Sequence, residues 1–168
     1  MEGILGRIIA TVLGLIALAG VGYAAFNGFS SSKSSDVVTG MTTIINNSRA
    51  QFSSGSSRYT NFTTANAASL VTAGIIPTSW VATGNVPTDP WGNALAFASA
   101  GANTQGSITF GGGGSETQAQ CINVIQNLKD YVSLTAGTKT FTQTALPDPV
   151  SAAAACTVAG TKITLVFQ

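Results

Sequence analysis

The chain contains no histidine and very little charge. It therefore lacks the side chain that titrates near neutral pH and the commonest zinc ligand. Lysine and arginine number 7 against 6 aspartates and glutamates, so charged residues are 8% of the 168 and the net charge is +1. That balance offers no basic field to nucleic acid and no acidic one to cations. Asp89, Glu116, Asp130 and Asp148 are scattered, without metal-ligand spacing. Serine is plentiful, but no histidine can activate one, which leaves only a serine–lysine pairing with Lys129, Lys139 or Lys162. Gly111 to Gly114 is not followed by the Gly-Lys-Ser/Thr of a phosphate loop. The sequence supplies no catalytic, cofactor-binding or metal-ligating residue, and no cofactor is expected.

The scarcity of charge has a second consequence. Glycine and alanine are abundant, and serine, threonine and asparagine dominate the polar positions. Such a surface lacks the repulsion that keeps monomers apart. It suits a weakly charged secreted protein, or a subunit that packs against copies of itself. Cysteine is limited to Cys121 and Cys156. With a membrane-directing N-terminus, an even count favours a disulfide formed in an oxidising compartment over two buried thiols. That bond would enclose 34 intervening residues, and by loop entropy it contributes on the order of 3–4 kcal/mol.

What the chain does have is apolar length at one end. Ile8 to Phe26 is a run of 19 residues without charge, after Arg7 and before Lys33. About 20 apolar residues in a helix cross the hydrocarbon of a bilayer. A cleavable signal has a basic start and a shorter apolar stretch, whereas here residues 1–6 carry an acid and no base. Asp36 to Phe52 then places Val37, Met41, Ile44, Ile45 and Phe52 on one helical face. Ser34 or Ser35 could cap a new helix there, or one helix could continue through Ser30–Ser35 from about residue 2 to 52. The continuous helix would be roughly 75 Å long. Gly14, Gly20 and Gly22 inside the apolar half each weaken a helix by up to about 1 kcal/mol, and in a membrane they permit close helix contact.

Ser53 to Ser57 is a breaker cluster. A short helix is predicted over Asn66 to Gly74, with Gly74 as its cap, and turn chemistry over Val86 to Asn93. Ala94–Ala98 and Ser107–Phe110 read as strands joined by a loop from Ser99 to Gly106, and Gly111 to Gly114 as a hinge. Ser115 to Gln118 fits a capping box, followed by a helix from Glu116 to about Tyr131. Thr138 to Gln143 is a further candidate strand. Pro147 and Pro149 interrupt the chain. Ile163, Leu165 and Phe167 alternate in a last strand that closes a sheet. The order implies an α+β fold: a long N-terminal α-helix, apolar then amphipathic, on a globular domain with an antiparallel sheet and one disulfide. The corresponding segments are 1–29, 30–52 and 53–168, with a disulfide-bounded region 121–156. Trp80 and Trp91 suit core packing better than exposed binding. The triplets at Asn46 and Asn61 match the glycosylation pattern only as often as this composition implies by chance.

The layout resembles the type IVb pilins, especially the major subunits of thin pili of conjugative plasmids and related enteric systems. The resemblance rests on the order of the N-terminal helix with its amphipathic continuation, Leu70-Val-Thr-Ala-Gly-Ile-Ile-Pro77, Pro90-Trp91-Gly92, Ile108-Thr-Phe110, Gln120-Cys121 and Cys156. It implies a structural subunit rather than an enzyme. Pilins lose a short leader to a prepilin peptidase, wait in the inner membrane, and are fed by an assembly machine into an extracellular helical homopolymer. Their N-terminal helices form its core, often with a minor pilin at the tip, and no nucleic acid is bound. The resemblance also implies that Cys121 and Cys156 close the exposed disulfide region. Many pilins carry glutamate at mature position 5, where this chain has Leu5. Its nearby acid, Glu2, is expected to neutralise Arg7 or a terminal amine, because a bare charge in hydrocarbon is costly. Glu2, Arg7, Gly14, Gly20 and Gly22 are the expected assembly residues. With no leader before Met1, the chain reads as already processed, or as having a very short leader ending at Gly3. The competing functions are a minor pilin or pseudopilin, against which the missing acidic cluster argues, and a membrane-tethered periplasmic enzyme.

Overall fold

Helix α1 spans residues 32–52, and its buried positions, Ser34, Val37, Gly40, Met41, Ile44, Ile45 and Ser48, repeat every three or four residues. They form one apolar stripe, as the spacing predicts. The computed structural model describes residues 32–157 and 160–168, within a compact unit Lys33–Gln168. Helix is already present at residue 32, so neither Ser34 nor Ser35 caps it, and Ser34 is buried within the stripe. The expected apolar half over 1–29 lies outside the described residues. Among those residues no helix is long and apolar enough to cross a membrane.

After the Ser53–Ser57 breaker, a 3-10 turn Arg58–Asn61 leads to α2, Ala67–Thr72. Gly74 ends α2 at φ +72, and Ile75 N donates back to Leu70 O. A 3-10 turn Thr78–Trp80 precedes the short pair β1 (Val81–Ala82) and β2 (Val86–Pro87). The main sheet holds β3 (Ala96–Ala100), β4 (Gln105–Gly111), β5 (Ser133–Ala136), β6 (Lys139–Thr142) and β7 (Lys162–Phe167). Its order is β3-β4-β7-β5-β6, and every pairing is antiparallel.

Because side chains alternate across a pleated sheet, the register builds one row through all five strands. Phe97 faces Ile108, Ile108 faces Leu165, Leu165 faces Leu134, and Leu134 faces Phe141. All five are buried, in one core with the α1 stripe. The opposite face carries Thr109, Thr164, Thr135 and Thr140, whose hydroxyls pair at 3.0 and 2.9 Å.

Several sequence expectations need correction. The last strand does not close the sheet; β7 is its centre, paired on both edges. The β3–β4 hairpin turns over 101–104 instead of 99–106. Positive φ at Gly101, Ala102 and Asn103 makes that tighter turn. Helix α3 is shorter than predicted, Gln118–Asn127. Its capping box is Thr117 with Gln120, two residues later than Ser115 with Gln118. The short pair β1–β2 went unpredicted, as did β5 and α4 (Pro149–Ala155), where Pro149 starts the helix instead of interrupting it. Trp80 and Trp91 are buried, as expected.

The tightest helix contact is at Gly40, where an added Cβ would lie 2.0 Å from the Trp80 ring. Glycine inside a helix costs about 1 kcal/mol, but here it lets the indole lie against the backbone. Gly40→Ala should therefore destabilise despite its better helix propensity, by about 1–3 kcal/mol net of overpacking. Thermal unfolding followed by circular dichroism measures this, and an unchanged or raised midpoint would contradict the contact.

Candidate assembly surface

The outward side of α1 is the complement of its buried stripe. Lys33, Asp36, Thr39, Thr43 and Asn46 are exposed, and no large apolar side chain accompanies them. Beside Gly40, a cleft of about 550 Å³ opens between Asp36, Thr39 and Thr43 on the helix and Pro77, Trp80 and Pro90 on the head. The amphipathic half thus spends its apolar residues on its own domain. Toward other molecules it presents hydroxyls, amides, one acid and one base.

Several polar side chains fasten α1 to the head. Asn47 Nδ2 donates to Gly74 O at 3.0 Å, and Gln51 Nε2 to Ala73 O at 2.8 Å. One turn apart on α1, these amides satisfy carbonyls left open at the end of α2. Arg49 spans further, donating through Nε to Gln168 O and through Nη2 to Asp130 O, both at 2.6 Å. It joins the end of β7 to the approach of β5. Burial raises the pKa of the Tyr59 hydroxyl above its ordinary 10.0, and nearby Arg49 partly offsets this.

The glycine run 111–114 is a packed turn, not a hinge. Gly111 N donates to Asp89 Oδ2 at 2.9 Å, and Gly112 N donates to Glu116 Oε1. Asp89 also accepts from the main-chain nitrogens of Trp91 and Asn93, and Asn93 Nδ2 bridges it to Glu116 at 3.2 and 3.3 Å. Both carboxylates are buried, at 3% and 1% exposure. Main-chain N–H groups and the Asn93 amide occupy their oxygens, so the two carboxylates tie the 89–93 turn to the 111–116 loop. Among the described residues no group of three or more aspartate, glutamate, cysteine or histidine side chains could hold a metal ion.

Cys121 in α3 is bonded to Cys156 at the end of α4, with Cα atoms 5.9 Å apart and a sequence separation of 35. Within that loop, Leu146 and Val150 are 57% and 80% exposed, among the largest apolar exposures in the described residues. Of the expected site residues, only Cys121 and Cys156 are described, and they pair as expected. Glu2, Arg7, Gly14, Gly20 and Gly22 lie outside the described residues.

The family model described as PilS N terminal matches residues 31–168. The chain belongs to the PilS family. A solved structure, the crystal structure of type IV b pilin from Salmonella typhi, is similar at 14% identity with a TM-score of 0.63. The match covers 79% of this chain and 97% of that one. No curated protein matches the sequence. The chain thus belongs to the PilS family and has the fold of a type IVb pilin.

In this pilin the missed residues had faint signals. Asp89 and Glu116 looked like scattered acids because their partners are main-chain groups. The Asp148-Pro149 pair was the clearest overlooked cue, an N-cap followed by proline at the first helical position. Asp148 accepts from Val150 N and Ser151 N at 2.8 and 3.1 Å.

Two predictions follow from the disulfide region. Cys121→Ser with Cys156→Ser should cost on the order of 3–4 kcal/mol, read as a lowered unfolding midpoint that reductant no longer shifts. The second concerns acid. Hydrogen bonds from Ser151, main chain first and then hydroxyl, and from Val150 N hold the Asp148 carboxyl below its ordinary 3.8. A depressed folded pKa stabilises fully above the unfolded value and is lost as pH falls through the folded one. Asp148→Ala should therefore lower the melting temperature more at pH 7 than at pH 2.5, and equal losses at both would refute the cap.

Proposed function

We propose that this chain is the major subunit of an extracellular type IV pilus and polymerises through residues 1–29. Family membership over residues 31–168 supports a pilin role. One further observation carries the reading toward the N-terminal segment. The α1 stripe is consumed by the pilin's own core, and the large apolar side chains exposed among the described residues are four: Val86, Val132, Leu146 and Val150. A head so poor in exposed apolar surface offers little to drive polymerisation. The 19-residue uncharged run before it offers much more.

On this reading residues 1–29 are held in the inner membrane before assembly and exchange lipid for sister helices afterwards. Lipid is as apolar as leucine, so the exchange is favoured by close packing, which Gly14, Gly20 and Gly22 permit. Glu2 and Arg7 are the charges of that segment, and pairing them, within or between subunits, removes the cost of burying either alone. The supporting partners are a prepilin peptidase, the assembly machinery and a minor pilin at the tip. The filament would serve cell–cell contact in conjugation or adhesion.

Electron microscopy of sheared surface material tests this directly: long filaments made mainly of this chain are expected. Glu2→Gln should lower the yield of sheared filaments several-fold while the membrane-held pool persists. Wild-type yield and filament stability in that variant would remove Glu2 from the assembly role.

A further inference from the structure

A second cleft, of about 390 Å³, opens where α1 ends against α2. Its lining includes Gln51, Phe52, Asn61, Asn66, Ser69 and Leu70, and no charged residue. We propose that this cleft is a binding site for a neutral saccharide, with the pyranose ring on Phe52 and its hydroxyls on the surrounding amides.

The chemistry of the lining selects the ligand class. A cleft without a cation offers no charge-assisted hydrogen bond to phosphate, sulfate or carboxylate, and one without an acid offers no carboxylate to metals or amines, which disfavours both classes. What remains is uncharged hydrogen bonding beside an aromatic ring, the pairing that a sugar, with one apolar face and a rim of hydroxyls, can satisfy.

The amides are already oriented. Gln51 Nε2 is committed to Ala73 O at 2.8 Å, and Asn66 Nδ2 to Asn61 O at 3.0 Å. Each bond turns the nitrogen toward the main chain and leaves the amide oxygen as an acceptor for a ligand O–H. Asn61 and Ser69 lie exposed beside them. Phe52 is partly buried and fixed: Tyr59 stacks on it with centroids 5.6 Å apart, and Phe62 meets it edge-on at the same distance. Ordering such a site on binding costs little entropy. The cleft lies at the far end of α1 from residue 32, about 28 Å along the helix. The inference rests on residues of the head alone and does not depend on the proposed filament packing.

The test uses the full chain in phosphocholine micelles, which avoids glycosidic detergents. Saturation-transfer difference NMR is recorded with maltose, lactose and N,N′-diacetylchitobiose, and separately with inorganic phosphate and sialyllactose. Transfer to at least one neutral disaccharide is expected, with affinity in about the millimolar range typical of single shallow sites, and none to phosphate. Asn61→Ala with Ser69→Ala, both exposed and away from the core, should cut the transfer at least five-fold with an unchanged circular dichroism spectrum. Retention of sheared filaments on a neutral polysaccharide resin would identify a multivalent surface glycan as the source, and soluble binding without retention a free sugar. Absence of transfer to every neutral disaccharide, undiminished transfer in the double variant, or preference for the charged probes would overturn the assignment.

Discussion

Strand β7 is the constraint on which the rest of the head depends. It pairs with β4 on one edge and β5 on the other, so Leu165 is the central member of the apolar row that crosses the whole sheet. Phe167 contacts Tyr59 and Phe62 edge-on with centroids 5.6 Å away, and Gly106 is the residue whose missing Cβ makes room for the Phe167 ring. Arg49 reaches from α1 to Gln168, just past the strand. The β4–β7 registry joins residues about 55 positions apart, as Thr109 with Thr164 illustrates. Such pairings must overcome loop-closure entropy before they stabilise anything. The disulfide acts on that problem. It confines α3, β5, β6 and α4 to one closed loop and delivers the chain to the start of β7.

This dependence explains which parts of the fold were legible. The α1 stripe was readable because Val37, Met41, Ile44 and Ile45 repeat on one face without interruption. The alternation of Ile163, Leu165 and Phe167 identified β7 equally well. Its place in the sheet was not readable, since a strand's neighbours are set by pairings far apart in sequence. Strand β5 was hidden because Leu134 and Ala136 are its only buried positions. Helix α4 was obscured by reading Pro149 as a breaker when Asp148 before it makes proline a starter. The carboxylate lock could not be seen at all: Asp89 and Glu116 acquire meaning only when Gly111 and Gly112 are folded against them. The same holds for the uncharged cleft beside α2, whose amides come from α1 (Gln51), the 3-10 turn Arg58–Asn61 (Asn61) and the N-cap of α2 (Asn66).

The neutral composition also looks different once folded. The described residues contain six bases (Lys33, Arg49, Arg58, Lys129, Lys139 and Lys162) and five acids. Asp89 and Glu116 are buried among main-chain donors, which leaves Asp36, Asp130 and Asp148 to face solvent. The exposed charges of the described residues are therefore biased positive, although the two buried carboxylates still count in their net charge of +1. Such charges on neighbouring heads are screened beyond roughly 8 Å at physiological salt. They therefore tune the contact between copies without preventing it, and the hydroxyl face of the sheet contributes Lys162 beside Thr164.

The proposed division of labour between residues 1–29 and the head then follows from surface chemistry. Apolar area removed from water contributes about 25 cal/mol per Å², and α1 has already used its stripe to hold the head together. A head that spent more of that surface on its neighbours would lose its own core. One that kept none exposed could not associate by itself. Placing the association energy in residues 1–29 separates the two demands. On the proposed reading the head's described core is complete within residues 32–168 and needs no apolar partner from another molecule. Gly40 marks where that independence is most exposed to damage. It lies where the Trp80 ring meets the helix backbone, beside the cleft that borders the outward face, so a single methyl there would disturb the head's core and the adjoining outward surface together.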